Sequence, residues 1–404
     1  MTTSARQARP PGAPAVGGSL LAAAVLLVAL NLRSPIVAVS PVVDAIRSDL
    51  GVSSAVAGLL TSLPVLMFAV ASTPASWLTG RIGPERAMLV GLAVLGVGTV
   101  LRSVDGVPTA LVGTALIGAG ITVGNVVVPV VIGRDFPHRS GGLLGLYVAT
   151  MNVGSMITLW VTVPIADGVG WRWALTVWLL VAAVSAVVWS VATRGRCPGS
   201  RAASAVDGTA SPTSPWRRPV GWQMLLAFGA QAFSYYGLTA WLPEILADLR
   251  GLDPAGAGAA SSIFQVLAVV GALGAPLIHH RTGSLRAAFL PVALGWLVLP
   301  LGLLFAPGAW PVWCALGGAA QGGGFTVFFA AILAASRDTG ENRRLGAFMQ
   351  TGAYLLGSLG PFLLGALHAD ASWTVPLLVV TGALVVLTIS GWLGASPRHR
   401  YVGQ

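Results

Sequence analysis

Twelve long apolar stretches, nearly free of charge, follow one another along a chain of 404 residues, and few folds can accommodate that pattern. Each reaches the ~20 residues at which an α-helix crosses the hydrocarbon core of a bilayer. In that solvent every backbone N–H and C=O must be satisfied within its own segment, so helices are the spanning element. Twelve spans use roughly 240 residues, which leaves short loops, a central linker and two tails but no separate soluble domain. With 55% hydrophobic and 9% charged residues, the chain lacks the polar surface to coat a soluble particle of this size. The expected fold is all-α and integral to the membrane, with twelve transmembrane helices.

Helices are predicted over 18–46, 54–79, 86–103, 109–133, 140–165 and 172–194, then 221–247, 254–278, 287–306, 311–336, 345–368 and 373–394. The first run is too long for a signal-peptide core and reads as a retained helix. Hydrophobicity collapses between Arg194 and Pro219, dividing the spans six and six. The expected organisation is a tail 1–17, a six-helix bundle 18–195, a linker 196–220, a second bundle 221–394 and a tail 395–404. The halves echo each other: Asp49 to Gly58 matches Leu249 to Gly258, and Thr122-Val123 with Arg134-Asp135 matches Thr326-Val327 with Arg337-Asp338. A duplicated, pseudo-symmetric bundle places a solute site near the midplane between the halves.

The formal charge of +10 comes from 23 basic residues, all Arg, scattered in small groups between apolar runs. That spread argues against a nucleic-acid partner and for a topology signal. With both termini cytoplasmic, eighteen arginines lie inside, and only Arg47, Arg102, Arg172 and Arg250 lie outside. Cys197 and Cys314 have neither zinc nor disulfide spacing, and no metal or cofactor is expected.

The remaining arginine, Arg33, sits mid-way along the first span between Asn31 and Pro35. Proline cannot donate to the Asn31 carbonyl, so the helix should bend there and expose polar backbone to a cavity. A guanidinium at that depth either binds an anionic or polarised solute through its fork of donors or clamps a neighbouring helix. No acid is expected near mid-membrane to neutralise it. Other polar groups at cavity depth are Asn125, Tyr147, Asn152, Gln231, Tyr235, Tyr236, Trp241, Gln265, Gln321, Gln350 and Tyr354. The substrate-binding candidates are Arg33, Asn31, Asn125, Tyr147, Asn152, Tyr236, Trp241, Gln265, Gln350 and Tyr354. Arg81, Arg134 and Asp135, in the loops after helices two and four, are gating candidates against the alternative of ordinary orientation signals. Asp44 and Glu244 at the outer mouth are the remaining candidates for proton-linked carboxylates, while the histidines at 138, 279, 280, 368 and 399 read as solvated.

Several motifs resemble the major facilitator superfamily, and within it the cyanate and 2-nitroimidazole porter family: Asn31-Leu-Arg-Ser-Pro35, Gly58-Leu-Leu-Thr-Ser-Leu-Pro-Val65, Gly124-Asn125 leading to Pro129, Arg134-Asp-Phe-Pro137, Trp171-Arg-Trp-Ala174, Ala240-Trp-Leu-Pro243 and Phe264-Gln265. The resemblance implies a monomeric alternating-access carrier of small polar or anionic solutes in the plasma membrane, with Arg33 as the family's first-helix arginine. The chain departs from the wider pattern at Gly80, where an acid is expected, and lacks a fourth-helix arginine and a Gly-Pro signature in helix five. Those departures weigh against proton-driven drug export. An efflux carrier for larger neutral compounds is the alternative, and a transporter-fold sensor a remote one. No nucleophile–base or metal motif supports an enzyme.

Overall fold

A computed structural model describes residues 15–195, 217–337, 339–368 and 372–396. Most of the expected 196–220 linker and of both tails, together with Asp338 and Asp370, lies outside the described residues. The described chain makes twelve helical passes. The first is α1 (Ala15–Asn31), α2 (Ser34–Val37), a 3-10 turn (Ser40–Val42) and α3 (Val43–Leu50). The second is α4 (Ser54–Val70) with α5 (Ser72–Ile82), bent by 55°. Next come α6 (Pro84–Arg102), α7 (Val107–Asp135), α8 (Ser140–Val169), and α9 (Trp171–Thr176) with α10 (Trp178–Ala192). The second half comprises α11 (Pro219–Arg250), α12 (Pro254–Val266) with α13 (Ala268–Thr282), α14 (Leu285–Phe305), α15 (Trp310–Ala335), α16 (Thr339–Leu367) and α17 (Thr374–Gly394).

Among the described residues nine segments are long and apolar enough to cross a membrane, and the bent α4–α5 pair makes a tenth. The other two, α11 and α16, are 32 and 29 residues long but more polar. They can be so because they line the middle of the molecule, where side chains meet protein rather than lipid. Each half has its own apolar core. Trp241, Phe264, Trp296 and Phe328 anchor one, and Leu21, Ile117, Val127 and Trp189 the other.

The first span departs from the bent but continuous helix expected from its sequence. It stops at Asn31 and restarts at Ser34, with Arg33 between in a non-helical conformation (φ −129°, ψ −35°). Pro35 falls in the first turn of α2, where its missing N–H costs nothing, and Pro41 does the same in the 3-10 turn. Two prolines six residues apart thus start new helical turns instead of kinking an old one.

The bundle has a linker face, where the chain passes between its halves, and a far face carrying the 50–54, 102–107, 169–171, 250–254 and 305–310 connections, with the end of α16 and the start of α17. Four hydrogen bonds join the two lobes in the far half. Ser40 Oγ donates to the Ala240 carbonyl (2.6 Å), Trp160 Nε1 to Ser262 Oγ (2.9 Å) and the Phe362 amide to Ser62 Oγ (3.1 Å). Arg47 Nη1 donates to Glu244 Oε1 (3.1 Å). Backbone meets backbone at three glycines, Gly58, Gly258 and Gly365. A Cβ on Gly58 would stand 2.5 Å from the Pro361 carbonyl oxygen, and one on Gly258 2.6 Å from that of Leu159. The lobes are therefore sealed at the far face.

Candidate functional site: an arginine between the lobes

The interruption at residues 32–33 turns the Arg33 side chain out of its own helix and toward the second lobe. Nη1 donates to Asn152 Oδ1 on α8 (2.8 Å), and the guanidinium carbon lies 5.3 Å from the centroid of the Tyr235 ring on α11. Tyr236, Tyr354 and Tyr147 are also within electrostatic reach. Among the described residues no carboxylate pairs with Arg33, so aromatic faces and an amide oxygen are what it has been given. The side chain is only half-buried although it lies deep between the lobes, so water-sized space adjoins it.

The groups around it come from both lobes. Tyr235 OH donates to Gln265 Oε1 (3.3 Å), and Gln265 Nε2 donates to Thr239 Oγ1 (3.4 Å), which holds the ring that Arg33 covers. Tyr147 OH donates to Asn125 Oδ1 (3.3 Å), and Asn152 is steadied by its own Nδ2 bond to the Val148 carbonyl. Phe68 of α4 meets Tyr236 and Tyr354 edge-on, at centroid distances of 6.3 and 5.5 Å. Gln350 is half-buried one turn from Tyr354 on α16, toward the linker face. The arrangement is one fixed positive charge in a frame of phenols, amides and aromatic edges. It suits a flat or linear solute carrying negative or strongly polarised atoms.

Two substrate-binding candidates lie elsewhere. Asn31 is fully buried and donates from Nδ2 to the Leu27 carbonyl (3.0 Å) and to Ser185 Oγ on α10 (2.9 Å), tying two helices together. The break after Asn31 changes the direction of the chain, so Asn31 and Arg33 point to different neighbours. Trp241 is also buried and gives its indole N–H to the Pro361 carbonyl (2.8 Å), which makes it part of the far-face seam.

The gating candidates lie on the linker face. Arg134 Nη2 pairs with Glu85 Oε1 (2.6 Å) and Asp135 Oδ2 (2.8 Å). Both carboxylates belong to the first lobe, Glu85 joining α6 to α7 and Asp135 lying on α7 itself, so these pairs survive any movement of one lobe against the other. Arg81 covers the Trp77 ring (5.1 Å).

Two residues take places the sequence did not signal. Arg102, counted above among the outer arginines, is 1% exposed and donates from Nη1 to the Pro35 carbonyl (2.6 Å), while Nε and Nη2 have no partner. It is a second buried cation, holding the broken first span two residues from Arg33. Its place at the last residue of a helix, beside a polar loop, concealed this. His368 is 8% exposed rather than solvated, and it stacks on Trp373 at 3.8 Å.

A model of the Major Facilitator Superfamily matches residues 21–316. The chain belongs to that superfamily. Its curated relatives include the 2-nitroimidazole transporter of Escherichia coli (strain K12), 32% identical with 92% of this chain and 94% of the relative covered. The cyanate transport protein CynX of the same organism is 27% identical, covering 89% and 94%. The transporter YycB of Bacillus subtilis (strain 168) is 32% identical, covering 94% of each chain. Similar solved folds include a bacterial homolog of the human lysosomal transporter Spinster, inward-facing and unoccupied (TM-score 0.77, 15% identity, 97% of this chain and 100% of that one). Another is the inward-open xylose transporter XylE of E. coli (TM-score 0.71, 12% identity, covering 93% and 94%). This facilitator is a multi-pass membrane transporter, and its family and relatives are transporters rather than enzymes.

Proposed function

We propose that the protein is a secondary active transporter of a small anionic or polar solute, cyanate-like or nitroheterocycle-like, working by alternating access with Arg33 as the anchor. The observation that carries this is the guanidinium itself. It is deep, half-exposed, without a carboxylate partner among the described residues, and placed so that one lobe supplies Asn152 and the other Tyr235. A solute bound there touches both lobes, so its binding energy can differ between their arrangements, as a population shift requires. The edge-on aromatics favour a planar heteroaromatic or a linear ion over a sugar. The names of the 2-nitroimidazole and cyanate relatives agree with that chemistry.

The lobes of this reading are 18–195 and 221–394, joined through 196–220. The protein works as a monomer in the plasma membrane with both termini cytoplasmic, which makes the far face the outer one. The seam at that face corresponds to a carrier open to the cytoplasm. The test is flux of cyanate and of 2-nitroimidazole into proteoliposomes, with Arg33→Lys and Arg33→Ala alongside. Lysine keeps the charge and loses the planar fork, so both variants should fall at least about tenfold in kcat/KM, the effect of one lost charge-assisted hydrogen bond. Undiminished anion flux in Arg33→Ala would remove the anchor from the mechanism. Flux confined to bulky neutral compounds, independent of Arg33, would establish the efflux alternative.

A further inference from the structure

The far-face seam contains a charged cluster larger than closure needs. Arg47 on α3 donates to Asp44 Oδ1 (2.9 Å) in its own helix and to Glu244 Oε1 (3.1 Å) across the lobes. Asp248 follows one turn along α11. His368 Nε2, at the end of α16, stands 3.5 Å from Glu244 Oε1 and 3.9 Å from Asp248 Oδ2. Trp373, at the start of α17, gives its indole N–H to Asp248 (2.7 Å). Three carboxylates thus face one guanidinium and one imidazole. The side chains of Asp44 and Asp248 are 71% and 50% exposed, and they open the cluster to water on the far face. Glu244 is only 7% exposed, and its Oε2 has no hydrogen-bond partner.

Opening the far face must carry α3 away from α11, and with it Arg47 from Glu244. Separation would take away the guanidinium that favours an ionised Glu244 and leave it beside the Asp248 carboxylate, within 4.8 Å. A proton on Glu244 removes both obstacles at once, since it cancels the attraction holding Arg47 and the charge that separation would strand. Arg47 keeps Asp44 as its partner throughout. We propose that Glu244 is a proton-binding site whose occupancy sets whether the far face is open, the proton arriving from far-face water past Asp44 and Asp248. The inference rests on the alternating-access reading. The open arrangement binds the proton more tightly than the closed one, so by linkage it gains population as pH falls.

The experiment uses the full chain in lipid nanodiscs with spin labels at Val104→Cys and Phe305→Cys. These exposed far-face positions lie one on each lobe, and Cys197 and Cys314 are replaced by Ser. Between pH 8.5 and pH 5.5 the long-distance population should rise at least about fivefold, within the tenfold per pH unit that one linked proton allows. Glu244→Gln, which mimics the protonated side chain, should show long distances at both pH values with no pH response. Asp44→Asn and His368→Gln should retain the response. The proposal is overturned if Glu244→Gln keeps the unsubstituted protein's pH dependence, if His368→Gln abolishes it, or if the distances follow added Zn²⁺ at constant pH instead. Arg47→Ala separates the two readings and guards against a Gln variant that fails to fold. A far face that opens in Arg47→Ala, but ignores pH in the unsubstituted chain, overturns the proton site alone. A far face shut in Arg47→Ala at every pH overturns alternating access as well.

Discussion

The two faces of the bundle both carry charged side chains and use them differently. On the linker face Arg134 holds Glu85 and Asp135, and Arg218 holds Glu341, each within its own lobe. On the far face Arg47 reaches across to Glu244, beside hydrogen bonds from Ser40, Trp160 and the Phe362 amide that also cross. A charge pair inside one rigid body stiffens that body. One between two bodies depends on how they are placed, so the far-face pair can report or control which way the molecule is open.

The most severe way to break this comparison is to prevent one face from closing. Gly58→Val puts atoms where the Pro361 carbonyl already lies, 2.5 Å from the Cβ position. We expect flux to drop by more than about tenfold, since even 1.4 kcal/mol of obstruction gives that factor, and spin-label distances to stay long on the far face. Gly80→Ala on the linker-face helix α5 meets nothing within 4 Å. It should leave flux unchanged and raise the melting temperature slightly, in line with the ~0.5–1 kcal/mol helical preference for alanine.

Arg102 comes next. Arg102→Ala removes the donor to the Pro35 carbonyl and leaves a void beneath the broken span, a loss of about 2–4 kcal/mol by analogy with buried truncations. Arg102→Met fills the space without a buried charge and should cost much less. Thermal unfolding of the two variants separates packing from charge. Ser62→Ala removes the acceptor that α4 offers the Phe362 amide across the seam, at a cost of about 1 kcal/mol. That should move the far-face equilibrium toward open by roughly fivefold, visible in the same distance measurement.

The smallest effect sharpens the contrast most. Arg134→Gln disrupts pairs whose side chains are 28%, 14% and 23% exposed, worth about 1 kcal/mol or less in solvent. It should lower the melting temperature by a few degrees at most and leave the open-to-closed ratio as it was. If Arg134→Gln changed that ratio as strongly as Arg47→Gln, the distinction between the faces would be wrong.

Much of the fold was legible because lipid permits so little. Helix ends fell within a few residues of those observed, and the marker for the site, an arginine inside an apolar run, stood out against its surroundings. Arg102, Asn31 and Glu244 were harder for a common reason. Their roles depend on which neighbour they meet, and periodicity says nothing about that. Asn31 lies two residues from Arg33 in sequence and belongs with Ser185 in space. Arg102 looks like any loop-flanking arginine until the turn of the first span brings the Pro35 carbonyl to it. Tyr235 was only one of several polar residues at the right depth. Its position under the guanidinium follows from the approach of α11 to a helix break that proline placement hinted at but did not locate.

The Gly58 and Gly258 contacts carry one more implication. Where the lobes touch there, one offers a carbonyl and the other a glycine without the Cβ that would obstruct it, and none of these groups belongs to the Arg33 site. Descendants of this chain are then free to alter the groups around Arg33, and with them the cargo, without redesigning how the door shuts.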